Sequence, residues 1–328
     1  MKKFRVFRVY RNDQKITGRI EDSTLDELSA GEVVIKSEYS SVNYKDALAA
    51  TGAGKIISKF PLIGGIDVSG IVKNSEDDRF KSGDKVLVTG YEMGMSHDGG
   101  YAEYVRVPAE WVIPLPESIT TKEAMIIGTA GFTAALCIDR MEQNGQTPEQ
   151  GTILINGASG GVGCMAIDMF SSTGYDVTAL TGKMSEIDYL RSLGAKEVLD
   201  RNELSFSGRP LETSLWAGAV DNVGGAILSW LTKTVHPWGN IASVGLAASA
   251  QLETTVLPFI LRGVSLLGIT SAGCPTALRH KIWNRIGSDL RPQHFDQIAL
   301  QEVVLEELNE VFSAMLNGQT KGRTIVRL

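Results

Sequence analysis

The sequence has few cysteines and histidines and no long apolar run. Its three cysteines, Cys137, Cys164 and Cys274, are scattered and odd in number, which argues against a disulfide framework and fits a reducing compartment. Its four histidines show no spacing typical of metal ligands. No apolar run reaches the roughly 18 residues of a spanning helix, and the N-terminus lacks the apolar region of a signal peptide. We therefore expect a cytoplasmic protein without a membrane partner and without a metal.

Blocks of basic residues are also missing. The 328 residues include 32 Lys and Arg against 38 Asp and Glu, which gives a net charge of −6, and the two signs are interspersed. This balance argues against nucleic acid as a principal partner. Hydrophobic content of 43% is ordinary for a globular protein, and the length allows two domains with a large core.

What the chain does contain is a glycine-rich turn between two strand-like runs. The apolar run 152–156 leads into the turn at Gly157–Gly163, a helical pattern covers 164–173, and a β-rich run covers 175–180. Strand, turn, helix and strand within about thirty residues have the size of a βαβ unit. This order predicts a dinucleotide site, and the alternative is a structural turn that binds no ligand.

The glycines of this turn have separate roles in a dinucleotide site. Gly157 allows the tight turn, Gly160 lets backbone N–H groups approach a diphosphate, and Gly163 permits close packing of helix and strand. The helix N-terminus adds the positive end of its dipole. The predicted cofactor-binding residues of the turn are Ser159, Gly160, Gly161, Val162 and Gly163.

The end of the second strand indicates which dinucleotide to expect. An NAD site usually has Asp or Glu here for the ribose 2′-hydroxyl, but no carboxylate stands at this tip. The residues that follow the strand are Thr181, Gly182, Lys183 and Ser185. Hydroxyls and a cation suit a 2′-phosphate, and Arg201, just past a third short strand, is a second candidate for it. We therefore predict NADP(H), although Lys183 could instead be a solvated loop lysine.

The pattern of strands and helices predicts two domains in an α/β fold. Short strands at 4–9, 32–39, 70–73, 85–89 and 101–108, separated by glycine turns, indicate a partly open β-barrel. A helical pattern at 121–125, with Thr121 as its predicted N-cap, and a second at 131–141 come next. Six strands then alternate with helices up to 269, as in a doubly wound parallel sheet. A tail helix at 304–315 precedes a last strand at 322–327, which we assign to the barrel. The predicted domains are 1–124 with 271–328, and 125–270.

Several segments resemble the medium-chain dehydrogenase/reductase superfamily over the full chain. They are Gly83–Val86, Gly99–Tyr104, Gly128–Ala134 and the glycine turn. Within it the chain resembles the quinone-oxidoreductase branch, and most closely the YhdH/YhfP-type group, which includes NADPH-dependent acrylyl-CoA reductases. The segments that carry this match are Asn43–Asp46, Pro61–Asp67, Ala124–Thr129 and Pro258–Val264. The resemblance implies a GroES-like catalytic domain and a Rossmann NADP-binding domain.

The resemblance also bears on zinc. Zinc alcohol dehydrogenases of the superfamily have Cys at the position of Asn43 and His-Glu at Ile66 and Asp67. Ile66 cannot bind a metal and Asn43 is a poor zinc ligand, so we expect an enzyme that works without zinc. Hydride addition to an activated C=C bond suits such a site, because the carbonyl of the acceptor takes the developing charge and few hydrogen-bond donors suffice.

The resemblance places three candidate catalytic residues, Tyr44, Asn43 and Asp67, in or near the cleft beside the nicotinamide. Tyr44 could pack on the cofactor or donate a proton, or it could only pack. Asn43 could orient the nicotinamide ribose or the substrate carbonyl, or hold a turn. Asp46 is expected to anchor its loop, and Asp67 to organise hydrogen bonds more than to catalyse. Further implied cofactor contacts are Tyr44, Thr129, Leu246, Ser271 and Asn317. For Asn317, a plain helix C-cap is the alternative.

Three functions follow from the resemblance. The first is NADPH-dependent reduction of an α,β-unsaturated thioester, with acrylyl-CoA as the leading case. The second is a quinone or enone reductase of broad specificity, and the third is a structural or RNA-binding protein that keeps the cofactor site. The interspersed charges argue against the third.

The substrate pocket and the assembly are less clear from the sequence. Candidates for contacts with acyl-CoA phosphates are Lys55, Lys59, Arg262 and Arg291, each of which could equally be a solvated charge. Candidates for an apolar pocket wall are Tyr91, Met93 and Met95, which could equally be ordinary packing. The apolar strand at 265–269 would leave an open sheet edge, and the family pairs it across a two-fold axis, so we expect a homodimer.

Overall fold

The computed structural model describes residues 2–13 and 15–328, and the chain forms two compact units. The first contains Met1–Thr129, Ala272–Gly287 and Ile298–Leu328, and the second contains Ala130–Ser271 and Ser288–Gln297. The first unit thus extends to Thr129, beyond the predicted boundary after residue 124. The segment 288–297, predicted in the barrel domain, packs in the second unit.

The elements are as follows. The strands are β1 (Phe4–Asn12), β2 (Lys15–Ser23), β3 (Val33–Val42), β4 (Leu62–Ile63), β5 (Asp67–Ser75), β6 (Lys85–Thr89), β7 (Tyr104–Val107), β8 (Ile113–Pro114), β9 (Ile153–Asn156), β10 (Val177–Thr181), β11 (Glu197–Asp200), β12 (Trp216–Asp221), β13 (Val235–Ser243), β14 (Ser265–Gly268), β15 (Ala299–Val303) and β16 (Arg323–Arg327). The helices are α1 (Tyr44–Thr51), α2 (Thr121–Gln143), α3 (Gly161–Ser172), α4 (Ile187–Ser192), α5 (Gly225–Thr234), α6 (Leu257–Arg262), α7 (Thr276–Ile286), α8 (Phe295–Ile298) and α9 (Leu308–Leu316).

The first unit is organised around β3. This strand pairs antiparallel with β5, β7 and β16, within a sheet ordered β15-β16-β3-β5-β6-β8, while β1 pairs with β2 and β4 in a second sheet. Val6, Ile35 and Val68 are among the fully buried side chains of its core. The last strand returns to this unit as predicted, since Thr324 pairs with Val42.

Four strands of this unit are not recognised from the sequence. They are β2, β4, β8 and β15. Most of β2 is exposed or half-buried, so it lacks the apolar run that marks an interior strand. β4 has only two residues, which is too short for any periodic pattern.

The second unit contains a six-stranded parallel sheet. Its order is β11-β10-β9-β12-β13-β14, the order of a dinucleotide-binding doubly wound sheet, so the predicted fold class is confirmed. The register pairs Leu180 with Asn156 and Thr181 with Asp200. Because the strands are parallel, the turns after β9, β10 and β11 lie at the same edge of the sheet.

The helix α2 contains a sharp break at Gly128. Its cap lies one residue before the predicted Thr121, because Glu123 Oε2 accepts a hydrogen bond from the Thr120 backbone N–H at 2.8 Å and Thr120 Oγ1 accepts one from Glu123 N at 3.1 Å. By length and composition α2 could cross a membrane, contrary to the sequence expectation, but 89% of its apolar window is buried inside the protein. It is therefore a core helix.

Hydrogen bonds to a buried carboxylate explain why 288–297 belongs to the second unit. His294 Nδ1 lies 2.6 Å from Asp168 Oδ1, and the backbone N–H of Gln293 donates to Asp168 Oδ2 at 2.8 Å. The Asp168 side chain is fully buried on α3. Burial raises the pKa of Asp168, and the bonds from His294 and Gln293 act against that shift.

Candidate active site and cofactor site

Asp67, the first residue of β5, is a fully buried carboxylate at the centre of a hydrogen-bond network in the first unit. Its Oδ2 accepts hydrogen bonds from Ser41 Oγ at 2.7 Å and from Asn43 Nδ2 at 2.8 Å. Thr129 donates twice, from its backbone N to Oδ2 at 2.8 Å and from Oγ1 to Oδ1 at 2.6 Å. With four donors on one carboxylate, Asp67 has the contacts of a residue that positions Asn43 and Thr129.

Asn43 caps the start of α1 and is 8% exposed. Besides its bond to Asp67, its Nδ2 lies 3.3 Å from Ser41 Oγ, and its Oδ1 accepts from Arg323 Nη1 at 3.2 Å. Both ends of the amide therefore bind protein groups. The predicted contact of Asn43 with the nicotinamide ribose or a substrate carbonyl stays a prediction. A substrate carbonyl would have to replace one of the two Nδ2 bonds, whereas a ribose hydroxyl could donate to the second lone pair of Oδ1.

Asp46 anchors the first turn of α1 from the inside. Its Oδ2 accepts from the backbone N–H of Asn43 at 2.8 Å, and its Oδ1 accepts from that of Ile66 at 3.0 Å. Burial, and next the nearby carboxylate of Asp67, raise the pKa of Asp46 to about 7. The helix start and the segment that leads into β5 are thus joined through one buried carboxyl group.

Tyr44 is the first residue of α1, and its side chain is 51% exposed. Asn43, directly before it, and Asp46, two residues after it, are buried and hydrogen-bonded. These bonds hold the backbone of Tyr44, while its ring projects from the helix start. Within the described residues the Tyr44 hydroxyl has no hydrogen-bond partner. A phenolic hydroxyl can donate or accept, so Tyr44 is the group of this segment best placed to meet a ligand.

Arg323 belongs to the same network, and sequence reasoning missed it. It is the first residue of β16 and is 3% exposed. Its Nε donates to Ile126 O at 3.0 Å and its Nη1 donates to Val42 O at 3.1 Å. The pairing of β16 with β3 brings it there from 280 residues beyond Asn43, and no local pattern in the sequence marks such a distant contact.

Gly128 makes room for these groups at the break in α2. Its backbone adopts φ 49° and ψ −157°, a combination that is essentially restricted to glycine. A Cβ atom at this position would lie 2.7 Å from Asp67 Oδ2, 2.8 Å from Arg323 Nη2 and 2.9 Å from Ser41 Oγ. The break lies directly before Thr129, whose backbone and hydroxyl both bond Asp67. The predicted cofactor contact of Thr129 would thus involve a side chain that already donates to Asp67.

The glycine turn connects β9 to α3 in the second unit. Gly157 adopts φ +59°, and Gly160 stands at the N-cap of α3. A Cβ atom at Gly163 would lie 2.8 Å from Ala158 O, so the helix packs too closely on the turn for a side chain. Ser159, within the turn, is 8% exposed. The backbone N–H groups that open the helix belong to Gly161, Val162 and Gly163. N–H groups at a helix start have no intrahelical partner, so this turn fits the diphosphate of a dinucleotide.

Two basic residues meet the end of β10. Thr181 is buried at the strand end, and its Oγ1 accepts from the backbone N–H of Lys183 at 3.0 Å. Arg201 follows β11, the neighbouring strand. A Cβ atom at Gly182 would lie 2.8 Å from Arg201 Cζ, so the guanidinium rests against the Gly182 backbone. The fold therefore brings Arg201 next to the loop that contains Lys183, the pair of cations proposed from the sequence for a 2′-phosphate.

The remaining predicted cofactor contacts are placed as follows. Ser185 is exposed in a short 3-10 turn after β10, and Leu246 is 65% exposed after β13. Ser271 ends the main segment of the second unit. Asn317 is the C-cap residue of α9, and its backbone N–H donates to Ser313 O at 3.1 Å. The helix C-cap named above as the alternative is thus observed, and the cofactor contact of Asn317 stays a prediction.

Three of the substrate-pocket candidates have structural roles. Arg262 donates to the backbone carbonyl oxygens of Lys233 and Glu212 within its own unit, so its guanidinium is engaged by the fold. Met93 is fully buried in the core of the first unit. Tyr91 stacks on Trp111, with ring centroids 5.3 Å apart. For these residues the ordinary structural interpretation is the better one.

The comparisons with known proteins agree with this architecture. A family model described as an alcohol dehydrogenase GroES-like domain matches residues 29–117, and one described as a zinc-binding dehydrogenase matches residues 161–285. YhfP of Bacillus subtilis, named as a quinone oxidoreductase, is 44% identical over 99% of this chain and 99% of its own. This chain belongs to the medium-chain dehydrogenase/reductase superfamily.

Relatives within the superfamily define the group more closely. AcuI of Escherichia coli, named as an acrylyl-CoA reductase, is 46% identical over 93% of this chain and 94% of its own. The structure of YhdH from Salmonella enterica in complex with NADP is 43% identical and covers 99% of both chains with a TM-score of 0.96. The structure of YhfP with NAD is 44% identical and covers 100% of both chains with a TM-score of 0.97. The predicted YhdH/YhfP-type group and the combination of GroES-like and Rossmann domains are confirmed.

The donor set of this medium-chain dehydrogenase/reductase does not suggest a metal site. Among residues 2–13 and 15–328, no three His, Cys, Asp or Glu side chains cluster so as to hold a metal ion. Asn43 and Ile66 stand where the resemblance places zinc ligands in the alcohol dehydrogenases. Independence from zinc stays a prediction, which chelation can test.

Proposed function

We propose that this chain uses NADPH to reduce the activated C=C bond of an α,β-unsaturated thioester, with acrylyl-CoA to propionyl-CoA as the leading reaction. The observation that carries the proposal is the 46% identity with AcuI, named as an acrylyl-CoA reductase, over 93% of this chain. The proposed proton donor, Tyr44, belongs to the first unit, and the glycine turn, Lys183 and Arg201 belong to the second.

The described residues fit NADP(H). The N–H groups at the start of α3 would bind its diphosphate, and Lys183 and Arg201 would bind its 2′-phosphate. The carboxylate of Asp200, at the end of β11, accepts a hydrogen bond from the backbone N–H of Asn202 at 2.8 Å. This carboxylate is therefore engaged in the local turn after β11. When bound, NADPH supplies the hydride that adds to the β-carbon of the thioester.

Tyr44 is the proposed proton donor. Hydride addition moves the π electrons of the C=C bond toward the thioester carbonyl and leaves an enolate, which must be protonated at the α-carbon. The exposed hydroxyl of Tyr44 would supply this proton and recover it from water. Asn43, Asp46 and Asp67 act as positioning residues, because their bonds fix the helix start from which Tyr44 projects.

Product analysis tests this function. The purified protein is incubated with NADPH and either acrylyl-CoA or a simple quinone, and kcat/KM is compared for the two acceptors. We expect a higher kcat/KM for acrylyl-CoA and formation of propionyl-CoA in step with NADPH consumption. Oxidation of NADPH by the quinone but not by acrylyl-CoA would favour the second candidate, a quinone oxidoreductase, which the similarity to YhfP supports.

We also propose a cytoplasmic homodimer. The three cysteines are all buried, and a chain with so few of them fits a reducing compartment. The strand β14 is an edge of its sheet. Exposed apolar side chains lie on its partner strand β13 and on the N-cap and helix α6 that precede it in the chain, namely Trp238 (78%), Val256 (65%), Ile260 (69%) and Leu261 (64%). An apolar sheet edge of this kind is usually paired. Light scattering at micromolar concentration should give twice the 35.4 kDa chain mass, and the chain mass alone would contradict the dimer.

A further inference from the structure

Three lysines follow Tyr44 within fifteen residues of the chain in the first unit. Lys45 follows Tyr44 on α1, and Lys55 and Lys59 lie in the loop that leaves this helix. The Lys45 ammonium lies 3.9 Å from Met95 Sδ, and the backbone N–H of Ser58 donates to Met95 O at 2.9 Å. Lys45 and Ser58, the residue before Lys59, therefore both contact Met95. We call Lys45, Lys55 and Lys59 the lysine patch.

The loop that holds two of these lysines is fixed to the first unit. The backbone N–H of Gly54 donates to Leu48 O at 3.3 Å. Ile57 and Phe60 pack on an apolar core cluster of the same unit. Lys55 and Lys59 are exposed, so the loop is anchored by its apolar residues and presents its two cations to solvent.

The patch has an excess of positive charge. Within the described residues none of its lysines pairs with a carboxylate. Glu92 and Asp98 are the acidic residues on either side of Met95 in its loop. Glu92 is exposed, and its Oε2 accepts from Ser96 Oγ at 2.6 Å. Asp98 is buried and accepts from the backbone N–H groups of Ser29 and Ile63. Asp46 on α1 is buried as well, so the exposed carboxylate beside the three cations is Glu92. In a chain of net charge −6, this surface balance favours an anionic ligand.

We propose that the lysine patch binds the phosphate groups in the tail of a coenzyme A thioester. The inference rests on the proposed function, because it concerns how the same site recognises its substrate. Coenzyme A has a diphosphate and a 3′-phosphate at the end of a long flexible arm, while its thioester carbonyl lies at the other end. Quinones and simple enones have no such phosphates. The patch next to Tyr44 would therefore favour acyl-CoA over these smaller acceptors.

The test compares two thioesters that differ only in the tail. One is acrylyl-CoA, and the other is S-acryloyl-N-acetylcysteamine, which has the same reacting end but no phosphate. Both are assayed with NADPH at low salt, in the native protein and in the double variant Lys55→Ala/Lys59→Ala. A matched control, Lys73→Ala/Lys81→Ala, removes two lysines that lie elsewhere in the same unit. Thermal unfolding of each variant checks that the fold is kept.

We expect the KM for acrylyl-CoA to rise about tenfold in the Lys55/Lys59 variant, since phosphate contacts are charge-assisted. The KM for the tail-less thioester should stay within about twofold, and salt near 1 M, where charges are screened beyond about 3 Å, should reduce the difference. Three results would overturn phosphate binding by the lysine patch while the proposed function stands. They are equal KM values in variant and native protein, an equal rise in KM for both thioesters, and the same rise in the control variant. If the native protein reduces neither thioester, the proposed function fails and the inference fails with it.

Discussion

Replacement of Gly128 by alanine tests whether the break in α2 is built around the Asp67 network. The backbone conformation at this position, φ 49° and ψ −157°, costs a side-chain-bearing residue roughly 1–3 kcal/mol. The new Cβ atom would lie 2.7 Å from Asp67 Oδ2 and 2.8 Å from Arg323 Nη2. These groups are buried and hydrogen-bonded, so relieving the overlap should cost a further 1–3 kcal/mol or so, as overpacking does in other cores.

The variant should therefore lose about 2–6 kcal/mol of its free energy of unfolding. Each kcal/mol lowers the Tm by about 2–4 °C in a domain of 150–250 residues. Gly83→Ala serves as the control, because Gly83 also has a positive φ, +102°, but nothing lies within 4 Å of its Cβ position. Thermal unfolding of the two variants side by side separates backbone strain from steric overlap. If Gly128→Ala lowers Tm no more than Gly83→Ala does, the network does not require a glycine.

Three further predictions concern the proposed reaction. Lys183→Ala and Arg201→Ala should each weaken NADPH binding about 10- to 100-fold, the loss of one charge-assisted contact, and leave NADH nearly unchanged; fluorescence titration showing equal weakening of both cofactors would refute their role at the 2′-phosphate. Tyr44→Phe keeps the ring but removes the proton, so kcat should fall by about 10²–10⁴ with little change in NADPH affinity, whereas an unchanged kcat would mean that solvent protonates the enolate. Activity should survive prolonged EDTA treatment, and a loss that Zn²⁺ restores would contradict the mechanism without metal.

The second unit could be predicted in most of its detail, because its signals are local. The run 153–156, the glycines that follow it and the small-residue helix lie next to one another in the chain, and each restricts the backbone directly. The tip of β10 was also recognisable, since Thr181 and Lys183 adjoin the strand. The contact of Arg201 with Gly182 follows from the parallel pairing of β10 with β11, because Thr181 pairs with Asp200 and the two residues come directly after this pair.

The network around Asp67 could be predicted only in part. Asn43 and Asp67 were found through family motifs, but Ser41 and Arg323 have no local signature, and the pairing of β16 with β3 is what brings Arg323 to Asn43. A buried arginine in a strand looks the same in sequence as an exposed one. The capping residue of α2 was placed one residue late for a related reason, because Thr120 and Thr121 differ only in the hydrogen bonds they form.

The docking of 288–297 determines where this chain can be divided. A fragment that ends at Ser271 would contain the whole parallel sheet but would leave the carboxylate of Asp168 buried without His294 and Gln293. An unpaired buried charge costs several kcal/mol, so such a fragment should fold poorly although no strand is missing. Exchange of nucleotide-binding modules between relatives therefore has to transfer two separate pieces of chain, of which the shorter is the segment 288–297 with its one histidine.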